Sequence, residues 1–152
     1  MLKQGSVADV KNGIIKREDG HVVITMRFYP RFLRKEMRDE FVCDLAPEKE
    51  LLREFNEAQK RLGNHNNSFA EVDYERRFQL EPRAMAHLKR LCALSAKRDV
   101  FLICICELGE MCHREMLMLL GKHLLGCQVD TVFHNYPVFM DRMGEFAARF
   151  GR

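Results

Sequence analysis

Residues 99–126 read "DVFLICICELGEMCHREMLMLLGKHLLG", and the pattern changes period inside that stretch. "DVFLICICE" is a continuous apolar run of strand length, the kind carried by a strand buried on both faces. From Cys112 onward "CHREMLMLLGKHLLG" reads as a helix closed by Gly126. A buried strand feeding a helix is half of a βαβ unit, and the flanking sequence repeats the theme. "HVVITMRFY", residues 21–29, is rich in β-branched residues and reads as a second buried strand stopped by Pro30. Residues 47–63, "PEKELLREFNEAQKRLG", place Leu51, Leu52, Phe55, Ala58 and Leu62 on one helical face, with acids early, bases late and Gly63 beyond the end.

Ser68 and Glu71 form a capping-box pattern, which predicts a helix carrying Phe69, Val72 and Phe78. Pro82 opens a further helix with Met85, Leu88, Leu91 and Cys92 facing inward. Downstream, "CQVDTVFH" reads as a third strand and "PVFMDRMGEFAARF" as a closing helix. Asn12-Gly13 and Asp19-Gly20 carry hairpin-turn chemistry, so residues 1–20 are expected to be a β-hairpin addition to a core spanning 21–152. Helices between apolar strands imply parallel pairing with right-handed crossovers. The expected fold is therefore α/β, a single layered domain with a short, mainly parallel sheet flanked by helices.

A chain of 152 residues, 47% hydrophobic and 31% charged, is long enough for one core and too apolar for disorder. It shows neither an export signal nor an apolar run approaching the roughly 20 residues that span a bilayer, so a cytoplasmic protein with no membrane partner is expected. In that compartment Cys43, Cys92, Cys104, Cys106, Cys112 and Cys127 stay reduced, and their meaning lies in packing, metal binding or thiol chemistry. The net charge of +3 is concentrated: Arg27, Arg31, Arg34, Lys35 and Arg38 against Glu36 give residues 27–38 a charge of +4.

Ligands of open parallel sheets bind beyond the carboxyl ends of the strands. Three such ends converge if the strands are neighbours, bringing together Arg27, Tyr29, Arg31, Glu107, Cys112, His113, Arg114 and His134. The first turn after Cys112 carries His113 and Arg114, although a helix start favours acids. Misplaced cations beside open N–H groups attract an anion, and a cysteine there becomes a nucleophilic thiolate. The alternative is a small buried Cys112 with Arg114 paired to Glu110 or Glu115. Phosphatase loops need an arginine six positions after the cysteine; here those positions are Glu110, Cys112 and Met118. Glu107 and Glu110 likewise contradict a sulfurtransferase loop.

Cys104, Cys106, Cys112 and His113 have the ligand types of tetrahedral zinc without the familiar paired spacing, so a metal site is a lesser alternative. The segment holding Arg27, Arg31, Arg34, Lys35 and Arg38 could contact nucleic-acid phosphates, with Tyr29 or Phe32 stacking on a base; the competing reading pairs those cations with Glu36, Asp39 and Glu40. Nothing in the sequence names a cofactor.

"FLICICELGEMCHREMLMLL", "MRFYPRFLRKEMRDEFVCDLAP" and "FAEVDYERRF" together resemble the segments of domain-of-unknown-function family 488, in the same order and over roughly residues 22–135. The resemblance picks out Arg27, Pro30, Arg31, Tyr74, Cys104, Cys112, His113 and Arg114. It departs at one point: where many members have a small residue and then a glutamate after the first cysteine, this chain has Ile105 and Cys106, with the acid displaced to Glu107. The family implies a fold and a candidate site but no reaction. The resulting expectation is a pocket for a small anionic, phosphorylated or nucleotide-like ligand. In it Cys112 or Cys104 is the thiol, His113 or Glu107 moves protons, and Arg27, Tyr29, Arg31, Tyr74, Arg114 and His134 hold the ligand. The alternative is a non-catalytic module that binds nucleic acid or protein.

Overall fold

The structure, a computed structural model, describes residues 1–151. Four parallel strands, β1 (Leu2–Ser6), β2 (His21–Ile24), β3 (Glu40–Phe41) and β4 (Val100–Cys104), lie in the order β1-β4-β2-β3. β4 is interior, with Leu2 to Ser6 in register with Val100 to Cys104 on one side and His21 to Ile24 with Val100 to Ile103 on the other. Strand alternation sends Val22, Ile24 and Ile103 to one face, where they pack with Val7, Val10, Ile15 and Leu33. Val23, Val100 and Leu102 point to the other face and join the larger core under the remaining helices. The α/β expectation holds.

Those helices are α1 (Val7–Lys11), α2 (Lys49–Leu62), α3 (His65–Glu71), α4 (Tyr74–Arg77), α5 (Pro82–Ser95), α6 (His113–His123), α7 (Pro137–Met140) and α8 (Met143–Phe150). α2 ends as its sequence requires, with Gly63 left-handed at φ 65°. α5 begins on its proline. No helix among the described residues is long and apolar enough to cross a membrane.

Several elements differ from the sequence expectation. There is no N-terminal hairpin: Leu2–Ser6 inserts into the sheet parallel to β4, and Ser6 and Asp9 then form a capping box that starts α1. The Asn12-Gly13 turn follows that helix, because positive φ suits a helix exit as well as a hairpin. Ser68 is not a cap either. Asn64 accepts from the Asn67 N–H one turn earlier, Ser68 Oγ donates to the Asn64 carbonyl at 2.6 Å, and left-handed Asp73 separates α3 from α4.

"CQVDTVFH" is not a strand. It makes one bridge, Val129 to Leu2, after which the Thr131 and Phe133 N–H groups donate to the side chains of Asp130 and Glu115. The C-terminal helix is broken at Asp141 and Arg142. There the Arg142 guanidinium turns inward, donates to the Glu75 carbonyl at 2.6 Å and lies 4.9 Å from the Phe146 ring centre.

Candidate functional site

β4 ends at Cys104 and α6 begins after Cys112, so the seven residues between the two cysteines form a loop over the carboxyl edge of the sheet. A cavity of about 420 Å³ opens beside it, within the size range of small-molecule sites. Its floor carries Cys104, Cys106, Cys112 and His113; Phe55, Phe69 and Tyr74 form an aromatic wall; Asn56, Gln59, His65 and Glu110 supply polar groups; Arg27 and Phe28 stand on the β2 side. The wall is rigid, with Phe69 stacked on Tyr74 at 4.2 Å and Phe55 edge-on to Tyr74 at 5.8 Å.

The three floor sulfurs lie within 4.8 Å of one another, and Cys104 and Cys106 are 3.8 Å apart. His113 Nε2 donates to the Thr25 carbonyl at 2.8 Å, which fixes the ring and turns Nδ1 to within 3.6 Å of Cys112 Sγ. Hydrogen bonds from Cys106 and Cys112, aided by the charge of His113, hold the Cys104 thiol well below its usual pKa even though burial opposes ionisation. Cys106 moves the opposite way, since its bonds to Cys104 and Cys112 keep it protonated. Burial would depress His113, but the charges of Cys112 and Cys104 outweigh it and raise the imidazole to about 10. Burial, then the neighbouring sulfurs, push the Tyr74 phenol well above its usual range. The Cys104 thiol is thus biased toward the thiolate and the His113 ring toward the imidazolium, beside the N-terminal N–H groups of an 11-residue helix.

Arg114 is placed elsewhere. It is fully buried, and its guanidinium donates to Gln4 Oε1 at 2.8 Å and to the carbonyls of Gly5, Cys106 and Glu107 at 3.2, 2.6 and 2.9 Å. It thus ties the thiol loop to β1. Next to it, buried Glu115 accepts from Gln4 Nε2 at 2.8 Å and from the Tyr136 hydroxyl at 2.6 Å, while Tyr136 accepts the Cys112 N–H at 3.1 Å. The cation at an acid-favouring helix start is explained: Arg114 serves backbone carbonyls, and His113 serves sulfur.

Of the other sequence candidates, Arg27 and Tyr74 reach the cavity. Arg27 spends Nε and Nη2 on the carbonyls of Ala46 and Pro47. Tyr29 packs edge-on to Phe41 outside it, Arg31 is exposed, and the Glu107 side chain faces solvent. His134 reaches the loop from a segment that is not a strand end and bonds the Gly109 carbonyl. Of the expected partners of the basic segment, Asp39 pairs with Arg17 and Glu40 with Arg90, so Arg31, Arg34 and Lys35 have no carboxylate within 4.0 Å among the described residues. Sequence reasoning passed over His65, which bonds the Met111 carbonyl at 2.7 Å and lies 3.3 Å from Glu110, because only the folding of α2 and α3 over the sheet edge brings it there. Cys104, Cys106 and Cys112 supply donor types that could hold a soft divalent metal, as could His65, Cys106 and Glu110, while His113 stands outside both groups.

The model of the active DUF488-N3 subclade matches residues 6–123, which include β2, β3, β4, the thiol loop and α6. The chain belongs to the DUF488 family. No curated protein and no solved structure matches it. In this DUF488 chain the sequence that marks the family, Cys104 followed by Cys112-His113-Arg114, divides its labour: two thiols and an imidazole at the cavity, one guanidinium beneath the loop.

Proposed function

We propose that this chain is a thiol-dependent enzyme acting on a nucleotide-like or phosphorylated ligand held in the cavity. The carrying observation is the Cys104 thiolate beside the His113 imidazolium at the floor of an aromatic-walled cavity. Cys104 sulfur attacks an electrophilic centre of the ligand, the bond to the leaving group breaks, and His113 Nδ1–H supplies the leaving group's proton. Cys112 and Cys106 stabilise the thiolate. Phe55 and Phe69 offer a face for a base, Asn56 and Gln59 offer hydrogen bonds to its edge, and Arg27 and His113 attract the anion. Arg114 acts as a positioning residue. The word "active" in the description of the matching subclade agrees with this reading. So does the free state of all six cysteines, which suits a reducing cytoplasm, and the pairing of β1 with β4 supports residues 1–152 as one unit.

Alkylation of each cysteine against pH, followed by peptide mass spectrometry with and without a chelator, tests it. Cys104 is expected to react with an apparent pKa well below the free value of about 8.5, and a nucleoside 5′-monophosphate should protect it. An ordinary or raised value for Cys104 in chelated protein overturns the nucleophile. Protection that is lost on adding chelator would instead reveal a metal on the thiols.

A second reading is favoured by the unpaired Arg31, Arg34 and Lys35 beside the exposed rings of Phe28 and Phe32: a nucleic-acid-binding surface. Salt-sensitive oligonucleotide affinity that survives Cys104→Ser would support it.

A further inference from the structure

Away from the cavity, Cys92 near the end of α5 and Cys127 just beyond α6 bring their sulfurs to 3.1 Å. We infer that this pair is a thiol-redox modification site that a hydroperoxide converts to a reversible disulfide joining α5 to the segment after α6. Three independent features support it. The sulfurs need to close by only about 1 Å to reach bonding distance.

Space for them is made by Gly121 in the interior of α6, where a Cβ would stand 2.9 Å from Cys127 Sγ and 3.2 Å from Cys92 Sγ. Glycine is a poor helix former, so its position against two sulfurs and Leu2 serves close approach rather than the helix. Access is provided by a surface depression of about 590 Å³ lined by both cysteines together with His123 and Lys89, whose ammonium group favours a thiolate.

The two thiols are also unequal. The hydrogen bond from Cys92 lowers Cys127 to about 7 against its burial, while Cys92 is pushed up by the same bond and stays a thiol. Cys127 is therefore the sulfur that attacks. Its thiolate attacks the distal oxygen of the hydroperoxide, so a sulfur–oxygen bond forms, the O–O bond breaks, and the displaced alkoxide takes a proton from water. Cys92 sulfur then attacks the resulting sulfenic acid, and the hydroxyl departs as water with the Cys92 proton. Two thiols lose two electrons and the hydroperoxide gains them.

The test treats the reduced full-length chain with a small excess of tert-butyl hydroperoxide. Peptides containing Cys92 and Cys127 are expected to be joined, and dithiothreitol should separate them. In Cys92→Ala the Cys127 sulfenic acid should persist and be captured by dimedone; in Cys127→Ala, Cys92 should stay reduced. Gly121→Ala should slow the joining several-fold. The inference is overturned if Cys127 remains reduced when the half-buried Cys43 has been oxidised, if its sulfenic acid accumulates unjoined in the unsubstituted chain, or if it joins a different cysteine. Cys104 alkylation, measured in the same variants, reports on the cavity separately.

Discussion

Arg114→Met exchanges a fully buried guanidinium for an apolar side chain of similar length, and two effects compete. Removing a buried cation relieves a desolvation cost, and such replacements can be neutral or stabilising when every partner is replaced as well. Here the partners stay. The Gly5 and Cys104 carbonyls lose their cationic donor in the buried interior, whereas Gln4 Oε1 and the Cys106 and Glu107 carbonyls are only partly buried and open to water. At roughly 1–3 kcal/mol for each acceptor left buried and unpaired, the expected loss is about 4 kcal/mol. For a chain of this size that is a fall in Tm of roughly 10 °C. Arg114→Lys, which keeps the charge but not the planar fork, should lose about half as much. Urea unfolding at neutral pH measures both, with an unchanged m-value as the control for a two-state comparison. A loss below about 1 kcal/mol for Arg114→Met would refute the reasoning, because it would mean that water satisfies these acceptors and that the arginine does not hold the thiol loop.

Gly121→Ala should destabilise by about 1 kcal/mol, since the clash of a Cβ with both sulfurs and Leu2 exceeds the gain in helix propensity; a raised Tm would contradict that. Glu40 gives a pH signature. Burial opposes its ionisation, but hydrogen bonds from Arg90 and His21 hold it below its usual 4.5, so its contribution is present above that pH and fades as pH falls through the folded value. Arg90→Ala should therefore cost less than about 1 kcal/mol at neutral pH, and the difference from the unsubstituted chain should vanish in acid; a difference that grows on acidification would reverse the assignment. His113→Asn should raise the apparent pKa of Cys104 toward about 8.5 while the Cys92 and Cys127 alkylation profiles stay unchanged.

What was legible in the sequence were the elements whose signals are local and agree with one another. α2 shows an apolar stripe, ordered charges and a terminal glycine, and β4 and α6 show a change of period around Cys112. The N-terminal segment was misread because its pairing partner is distant: nothing near Leu2–Ser6 announces Val100–Cys104, and the Asn-Gly turn after α1 looks the same as one closing a hairpin. The thiols and His113 could be placed at the site because a strand end and a helix start were both visible. The role of Arg114 could not, because a cation aimed at a ligand and one aimed at carbonyls have the same sequence. Phe55, Gln59 and His65 were invisible as site residues for a different reason. They belong to helices whose placement over the sheet edge depends on tertiary packing, and His65 lies 46 residues from the Met111 carbonyl it binds.

The interior position of β4 also orders events in time. Leu2 leaves the ribosome 98 residues before Val100, its register partner, and His21 waits 79 residues for the same one. At roughly 5–20 residues per second, β1 spends about 5–20 s without a neighbour, with Leu2 unpaired and open to association with other chains. Pairing across such separations is slow in its own right. The sheet can close only when β4 arrives, and Cys104 is its last residue. A nascent chain therefore carries Cys43 and Cys92 but neither Cys104 nor the imidazole of His113 until β1, β2, β3 and the helices α1 to α5 have been made, so the thiol pocket can mature only after its scaffold.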